Sequence, residues 1–203
     1  MSGDKVVFLL MAVLLATGYT ATSWAQEADV YEGWHAYGGD PGGTRYSGLD
    51  QITAANVDSL QLAWTYRTGE RAEGSPVAGK LTFEATPIFF DETLYLSTAF
   101  CEVIALDAAN GAERWRFDPQ VDRSRNYSEL TSRGVSLWID TAAASDTACT
   151  ARIFIGTIDA RLLSLDAATG EPCRDFGTDG QVNLGEGYSA DDNPQYVDYQ
   201  VTS

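Results

Sequence analysis

The stretch ALDAANGAERW (105–115) returns as SLDAATGEPCR (164–174), so that Asp107 recurs as Asp166 and Gly111 as Gly170. Each copy closes an alternating apolar run, LYLSTAFCEVIALD (94–107) and RIFIGTIDARLLSLD (152–166). The repeating unit is therefore a strand pair plus a tight turn. A period of this size belongs to radial β repeats or solenoids, in which each unit buries its apolar face against its neighbours. The turn residues agree: Asp107 and Asp166 can bind nearby backbone amides, while Gly111 and Gly170 accept the positive φ that a Cβ resists. Trp115 adds a large flat surface able to stack between neighbouring units. Arg174 stands at that place in the second copy, so the repeat is imperfect.

Positions 1–25 read as a secretory signal. Lys5 precedes an apolar run from Val6 to Ala16, and Ser23-Trp24-Ala25 forms a small-x-small cleavage site. An uncleaved anchor is the competing reading, but a spanning helix needs roughly 20 apolar residues and this run is shorter. What remains after its removal, 26–203, is enough for a sizeable core and reads as one exported domain. The net charge of −16 argues against nucleic acid as a partner. An acidic surface of this kind keeps an exported protein soluble. Three cysteines remain, Cys101, Cys149 and Cys173, in a compartment where disulfides persist. Cys149 precedes the second strand pair and Cys173 follows its turn, so a Cys149–Cys173 bridge is an expectation, though spacing alone does not establish it. The lack of a CxxC or Cys/His cluster leaves a zinc site without support.

The rest of the chain is punctuated like an all-β protein. WHAYGGDPGGTRYSGLDQI (34–52) is rich in glycine, yet it lacks the GK[ST] ending of a phosphate loop and has no strand and helix flanking it as a dinucleotide fingerprint requires. It reads as an irregular segment along the rim of a β domain. In 52–69, Asn56 or Asp58 is placed to cap one helical turn before a strand centred on Trp64. A Gly/Pro loop (74–79) leads to FEATPIFFDETLYLSTA (83–99), two strands joined near Asp91-Glu92. The segments 123–126 and 141–150 are small and polar and read as loops. Short strands with turns about every eight to twelve residues make the signature all-β.

Few residues advertise chemistry. His35, the single histidine, sits in a loop-like context and reads as a rim or packing residue rather than part of a nucleophilic triad. Glu84 lies between Phe83 and Ala85-Thr86-Pro87 at the mouth of an apolar strand, where a buried carboxylate needs a partner. Arg133, in LTSRGVSLW (130–138), stands before a glycine and an apolar strand, where a guanidinium can grip a carboxylate or quinone oxygen. Structural ion pairs imitate such sites. The acidic DDNP (191–194) lacks the ligand spacing of a calcium loop and reads as a solvated loop.

Taken together, the xLDAxTGxxxW turn, WxxYGGDxxGxRYSxLxQI, FEATPIFFDETLYLSTA and LTSRGVSLW resemble the pyrroloquinoline quinone (PQQ) dependent dehydrogenases. GEPCRDFGTDGQVNL (170–184) is most similar to the glucose and quinate subgroup. The resemblance runs from Trp34 to Ser203. It implies an eight-bladed β-propeller of four-stranded antiparallel sheets, about three of them within this chain. It also implies PQQ held with Ca²⁺, a sugar or other alcohol as hydride donor, and a quinone or cytochrome as electron acceptor. Carried over by position, Glu84 matches a glutamate that hydrogen-bonds PQQ, Arg133 an arginine beside its ortho-quinone oxygens, and Thr157, in GTID, a threonine near a PQQ carboxylate. An anionic planar cofactor calls for such groups.

Two departures qualify the carry-over. Where the glucose type often has a histidine, this chain reads Ser97-Thr98-Ala99-Phe100-Cys101; alcohol-oxidising relatives often carry a vicinal cysteine pair close to the cofactor, whereas here Cys101 stands alone. The resemblance further implies a catalytic base and Ca²⁺ ligands in blades beyond Ser203, so the chain reads as an N-terminal part of a periplasmic enzyme that needs its remaining blades. By itself it is expected neither to hold PQQ tightly nor to turn over substrate. The competing readings are a non-catalytic envelope scaffold built from the same repeat and a dehydrogenase of simple alcohols.

Overall fold

The computed structural model describes residues 33–70, 78–127, 129–144 and 147–186. The expected signal over 1–25, most of the Gly/Pro loop, and the acidic stretch 191–194 lie outside them. Among the described residues, eight strands form two antiparallel meanders in chain order. The first contains β1 (Ile88–Phe90), β2 (Thr93–Ser97), β3 (Val103–Asp107) and β4 (Glu113–Phe117). The second contains β5 (Ser136–Ile139), β6 (Ala151–Gly156), β7 (Arg161–Asp166) and β8 (Gln181–Asn183). Two single 3₁₀ turns, Val57–Ser59 and Ala78–Lys80, are the helical content of the described residues. The fold is thus all-β, built of four-stranded blades of which two are complete here.

Local chemistry sets the turns. Asp91 and Glu92 join β1 to β2 with φ of 47° and 56°, the doubly positive pair of a type I′ hairpin, whose twist matches that of the strands. After β3, Asp107 Oδ1 accepts from the amides of Ala109 and Asn110 at 3.0 and 3.2 Å. Asp166 Oδ1 does the same for Ala168 and Thr169 at 2.9 and 3.0 Å. Gly111 and Gly170 complete the two turns at φ 73° and 75°.

A tryptophan from the preceding segment seats on each turn. Trp115 lies so close to Gly170 that a Cβ there would meet its ring at 2.6 Å, and its Nε1 donates to Ala167 O at 3.0 Å. Trp64 repeats this on Gly111, at 2.5 Å, with Nε1 donating to Ala108 O at 3.2 Å. The strand expected around Trp64 does not form, because no ladder partner for it exists among the described residues. Side chains hold the segment instead: Arg116 donates to Tyr66 Oη and Thr68 O at 2.9 and 2.8 Å, and Tyr66 Oη binds Glu113. Asn56 precedes the first 3₁₀ turn without capping it; its Oδ1 accepts from Thr53 N at 2.7 Å.

The core lies between the sheets, where Ile88, Tyr95, Val103 and Ala105 meet Ile153, Ile155, Leu163 and Leu165, closed by Phe100, Tyr127 and Leu130. Leu96, Ile104 and Leu106 pack on the opposite face of the first sheet under Trp64 and Tyr66. Covered on both faces, β3 is buried without a break from Val103 to Leu106. By contrast β6 alternates, and Phe154 on its outer face meets the edge of Phe176, at 5.2 Å.

The second blade is longer than the first in two places. Register makes Leu137 the counterpart of Phe89 and Ile153 the counterpart of Leu94. The short step from Phe89 to Leu94 thus becomes the long step from Leu137 to Ile153, and the added chain lies between β5 and β6. In the first blade Arg114 alone bulges between Glu113, opposite Leu106, and Trp115, opposite Ala105. In the second, Pro172 faces Leu165, and Gly180 O accepts from Ser164 N at 2.9 Å. The excursion 173–179 therefore stands where a single residue stood. Arg174 is not the structural counterpart of Trp115; it is exposed on this excursion, and Gly180 takes the register position. Cys149 and Cys173 join the two insertions by a disulfide, with Cα atoms 5.8 Å apart.

Candidate functional site

The stretches leading into β1 and β5 run side by side. Parallel bridges pair Leu81 with Leu130 and Thr86 with Gly134, and the amides of Thr82 and Thr86 donate to Leu130 O and Arg133 O at 3.0 and 3.1 Å. This pairing joins the sheets and brings together two residues far apart in sequence, Glu84 and Arg133. Arg133 Nη1 lies 2.9 Å from Glu84 Oε2, and both side chains are exposed. The contact is an ion pair on the surface, with the rest of the guanidinium open to solvent. Two residues before Arg133, the Thr131 hydroxyl is buried and has no hydrogen-bond partner among the described residues.

Arg133 lines a cavity of about 260 Å³ together with His35, Tyr37, Thr86, Val135 and Ser136. His35 packs edge-on against Phe90 at 5.4 Å, and partial burial lowers its pKa. It is a packing residue in the wall of this cavity. The segment carrying it is the rim expected from sequence, with Trp34 and Phe89 exchanging backbone bonds of 3.0 and 2.8 Å at the free edge of β1.

Thr157 sits in the β6–β7 turn, fully buried. Its hydroxyl donates to Asp159 and accepts from Arg161 N at 3.1 Å. No hydrogen bond among the described residues joins it to Glu84 or Arg133. Phe100 is also buried, under the Arg123 guanidinium 4.3 Å from its ring centroid. Beside it the Cys101 thiol is unbridged and buried, and desolvation pushes its pKa to about 11. Such a thiol is inert rather than nucleophilic.

Sequence reasoning missed the carboxylate that fixes this turn. Glu70 accepts from the amides of Ala99 and Phe100 at 2.9 and 2.8 Å. It also missed the hydroxyl pair Ser97–Ser132, 2.6 Å apart. Neither has a local signal, since the partners are distant in sequence and of commonplace types. Among the described residues no group of three or more His, Cys, Asp or Glu side chains is placed to hold a metal ion.

An exposed guanidinium beside a cavity, held by a carboxylate, can bind the carboxylate or carbonyl oxygens of an anionic group. Comparisons with known proteins identify the family. Residues 34–203 match the family model described as PQQ: Glucose/ethanol/alcohol dehydrogenase, beta-propeller domain. The chain is 38% identical over 164 residues to quinoprotein glucose dehydrogenase A of Acinetobacter calcoaceticus, covering 75% of this chain and 20% of that protein. It is 33% identical over 185 residues to the quinate/shikimate dehydrogenase (quinone) of Acinetobacter baylyi, covering 84% and 22%. The crystal structure of quinohemoprotein alcohol dehydrogenase from Comamonas testosteroni superposes with a TM-score of 0.57 at 36% identity, covering 76% of this chain and 20% of that one. The chain spans about a fifth of the length of these relatives. With the motif order, the blade architecture and a family match that takes in both sheets and the Glu84–Arg133 pair, the chain belongs to the PQQ-dependent glucose/ethanol/alcohol dehydrogenase β-propeller family.

Proposed function

We propose that this chain forms part of a PQQ-dependent dehydrogenase that oxidises a sugar or another polyol and passes electrons to a quinone or cytochrome. The observation that carries the reading is Arg133, paired with Glu84 at the seam between two blades and lining a cavity there. The glucose and quinate/shikimate relatives support the substrate class.

When bound, PQQ supplies two-electron oxidising capacity toward an alcohol carbon. Arg133 binds its carboxylate or quinone oxygens and provides a fixed cation where negative charge develops. Glu84 orients the guanidinium and offers a further acceptor. Thr131 supplies a hydroxyl whose burial without a partner is otherwise unfavourable. His35, kept neutral by desolvation, closes the cavity wall without adding charge. Thr157 acts through the shape of its turn, its single O–H being given to Asp159. We propose that the Ca²⁺ ligands and the catalytic base are supplied by other blades of the full-length protein, as the length of the relatives allows.

Those blades are also the partners that the surface asks for. Tyr46, Leu49, Ile52, Leu60 and Leu62 are all more than half exposed within one short segment, an apolar run that a completed ring would cover. We infer export to the periplasm through the signal at 1–25, where a disulfide such as Cys149–Cys173 persists.

The test is a PQQ titration of the full-length protein in the presence of Ca²⁺. Arg133→Ala is expected to weaken binding about 100-fold and Glu84→Gln about tenfold, as befits charge-assisted contacts. Wild-type affinity in both variants would remove the assignment.

A further inference from the structure

Ser132 and Arg133 are neighbours in the lead-in to β5, but one is buried and the other exposed. Arg133 goes outward to Glu84 and the cavity. Ser132 goes inward, 7% exposed, and its Oγ lies 2.6 Å from Oγ of Ser97, fully buried at the end of β2. The backbone of the stretch is tied along its other edge to residues 80–86. Gly134, immediately after Arg133 with φ of 138°, adds no steric restraint of its own. Besides Leu130 and Val135, which seat in the core on either side, the hydroxyl pair is the buried polar contact next to Arg133.

We propose that Ser97 and Ser132 are positioning residues for Arg133: their buried hydrogen bond pegs the lead-in of the second blade to β2 of the first, and thereby aims the guanidinium into the cavity. The inference rests on the reading of Arg133 as a cofactor ligand. Each hydroxyl satisfies the other, so truncating either one both frees the stretch and leaves a buried O–H alone.

The experiment uses the full-length protein with Ca²⁺. The dissociation constant for PQQ is read from quenching of tryptophan fluorescence, beside the thermal midpoint of the cofactor-free protein. Ser132→Ala and Ser97→Ala are each expected to raise the dissociation constant roughly tenfold, the effect of one buried hydrogen bond. The double variant is expected to lose about tenfold, not 100-fold, because both changes remove the same contact. Ile104→Val, in the core patch under Trp64, is the control for instability alone: a lower midpoint with an unchanged constant. If the serine variants lower the midpoint but bind PQQ as wild type does while Arg133→Ala does not, the hydroxyl pair is merely structural and the proposal falls. If Arg133→Ala itself binds normally, the ligand assignment fails and takes this inference with it. Should Ser132→Ala not fold, Ser97→Ala approaches the same contact from the other blade and gives the same decision.

Discussion

Gly111 and Gly170 each answer two demands at once, a positive φ and a tryptophan ring within van der Waals reach of the missing Cβ. Gly43 answers only the first, with φ 65° and nothing within 4 Å. Comparison of the two kinds separates backbone strain from packing. Gly43→Ala is expected to cost about 1 kcal/mol, the penalty for an alanine at positive φ. Gly170→Ala is expected to cost about 3 kcal/mol or more, since it must also displace Trp115 and its bond to Ala167. Chemical denaturation of the two variants checks this; equal losses would mean that Trp115 gives way without cost. At this scale the sequence is most readable. Asp and Gly carry their turn preferences with them, and Trp115 advertises a stacking surface. Glu84 and Arg133 are readable as candidates from their strand-mouth setting and the family resemblance, but their ion pair is not, because the parallel pairing of two lead-in stretches leaves no trace in either one.

Among the elements, the second blade departs from the first through an insertion between β5 and β6 and an excursion at 173–179, and the disulfide ties the two together. Arg152 reinforces the junction by donating to Cys149 O at 2.9 Å and pairing with Asp175. Loss of a crosslink between cysteines 24 positions apart is expected to lower stability by about 2–4 kcal/mol. The check is urea unfolding of Cys149→Ser with and without reductant. The wild type should shift to the variant's midpoint when reduced, and the variant should ignore the reductant. Counting from turn to turn suggests a uniform repeat because the two Asp-to-Gly turns are insensitive to what lies between other strands. Strand register, which is set across the sheet, exposes the insertions and moves the counterpart of Trp115 from Arg174 to Gly180. The strand expected at Trp64 fails for a related reason: a β pattern states a capacity for pairing, and a ladder also requires a neighbour.

For the whole molecule, the charge of −16 and the paired carboxylates of Asp107 and Asp175 bear on the response to acid. Arg114 and the turn amides hold Asp107 below the usual carboxylate range, and Arg152 does the same for Asp175. A carboxyl with a lowered folded pKa contributes stability that is present above its unfolded value near 4 and is lost as pH falls through the folded one. Thermal midpoints are therefore expected to drop between pH 4 and pH 2, with a shallower slope in Asp107→Asn; an unaltered slope would show that the turn aspartate is energetically silent.

The claim that this chain carries one wall of a PQQ site is tested most directly by turnover. The full-length protein, reconstituted with PQQ and Ca²⁺, is assayed by dye reduction with glucose, quinate and ethanol in parallel, for the wild type, Glu84→Gln and Arg133→Ala. The account expects PQQ-dependent activity that is higher with glucose or quinate than with ethanol and falls at least tenfold in both variants. Activity that does not require PQQ, or that survives both substitutions unchanged, would contradict it.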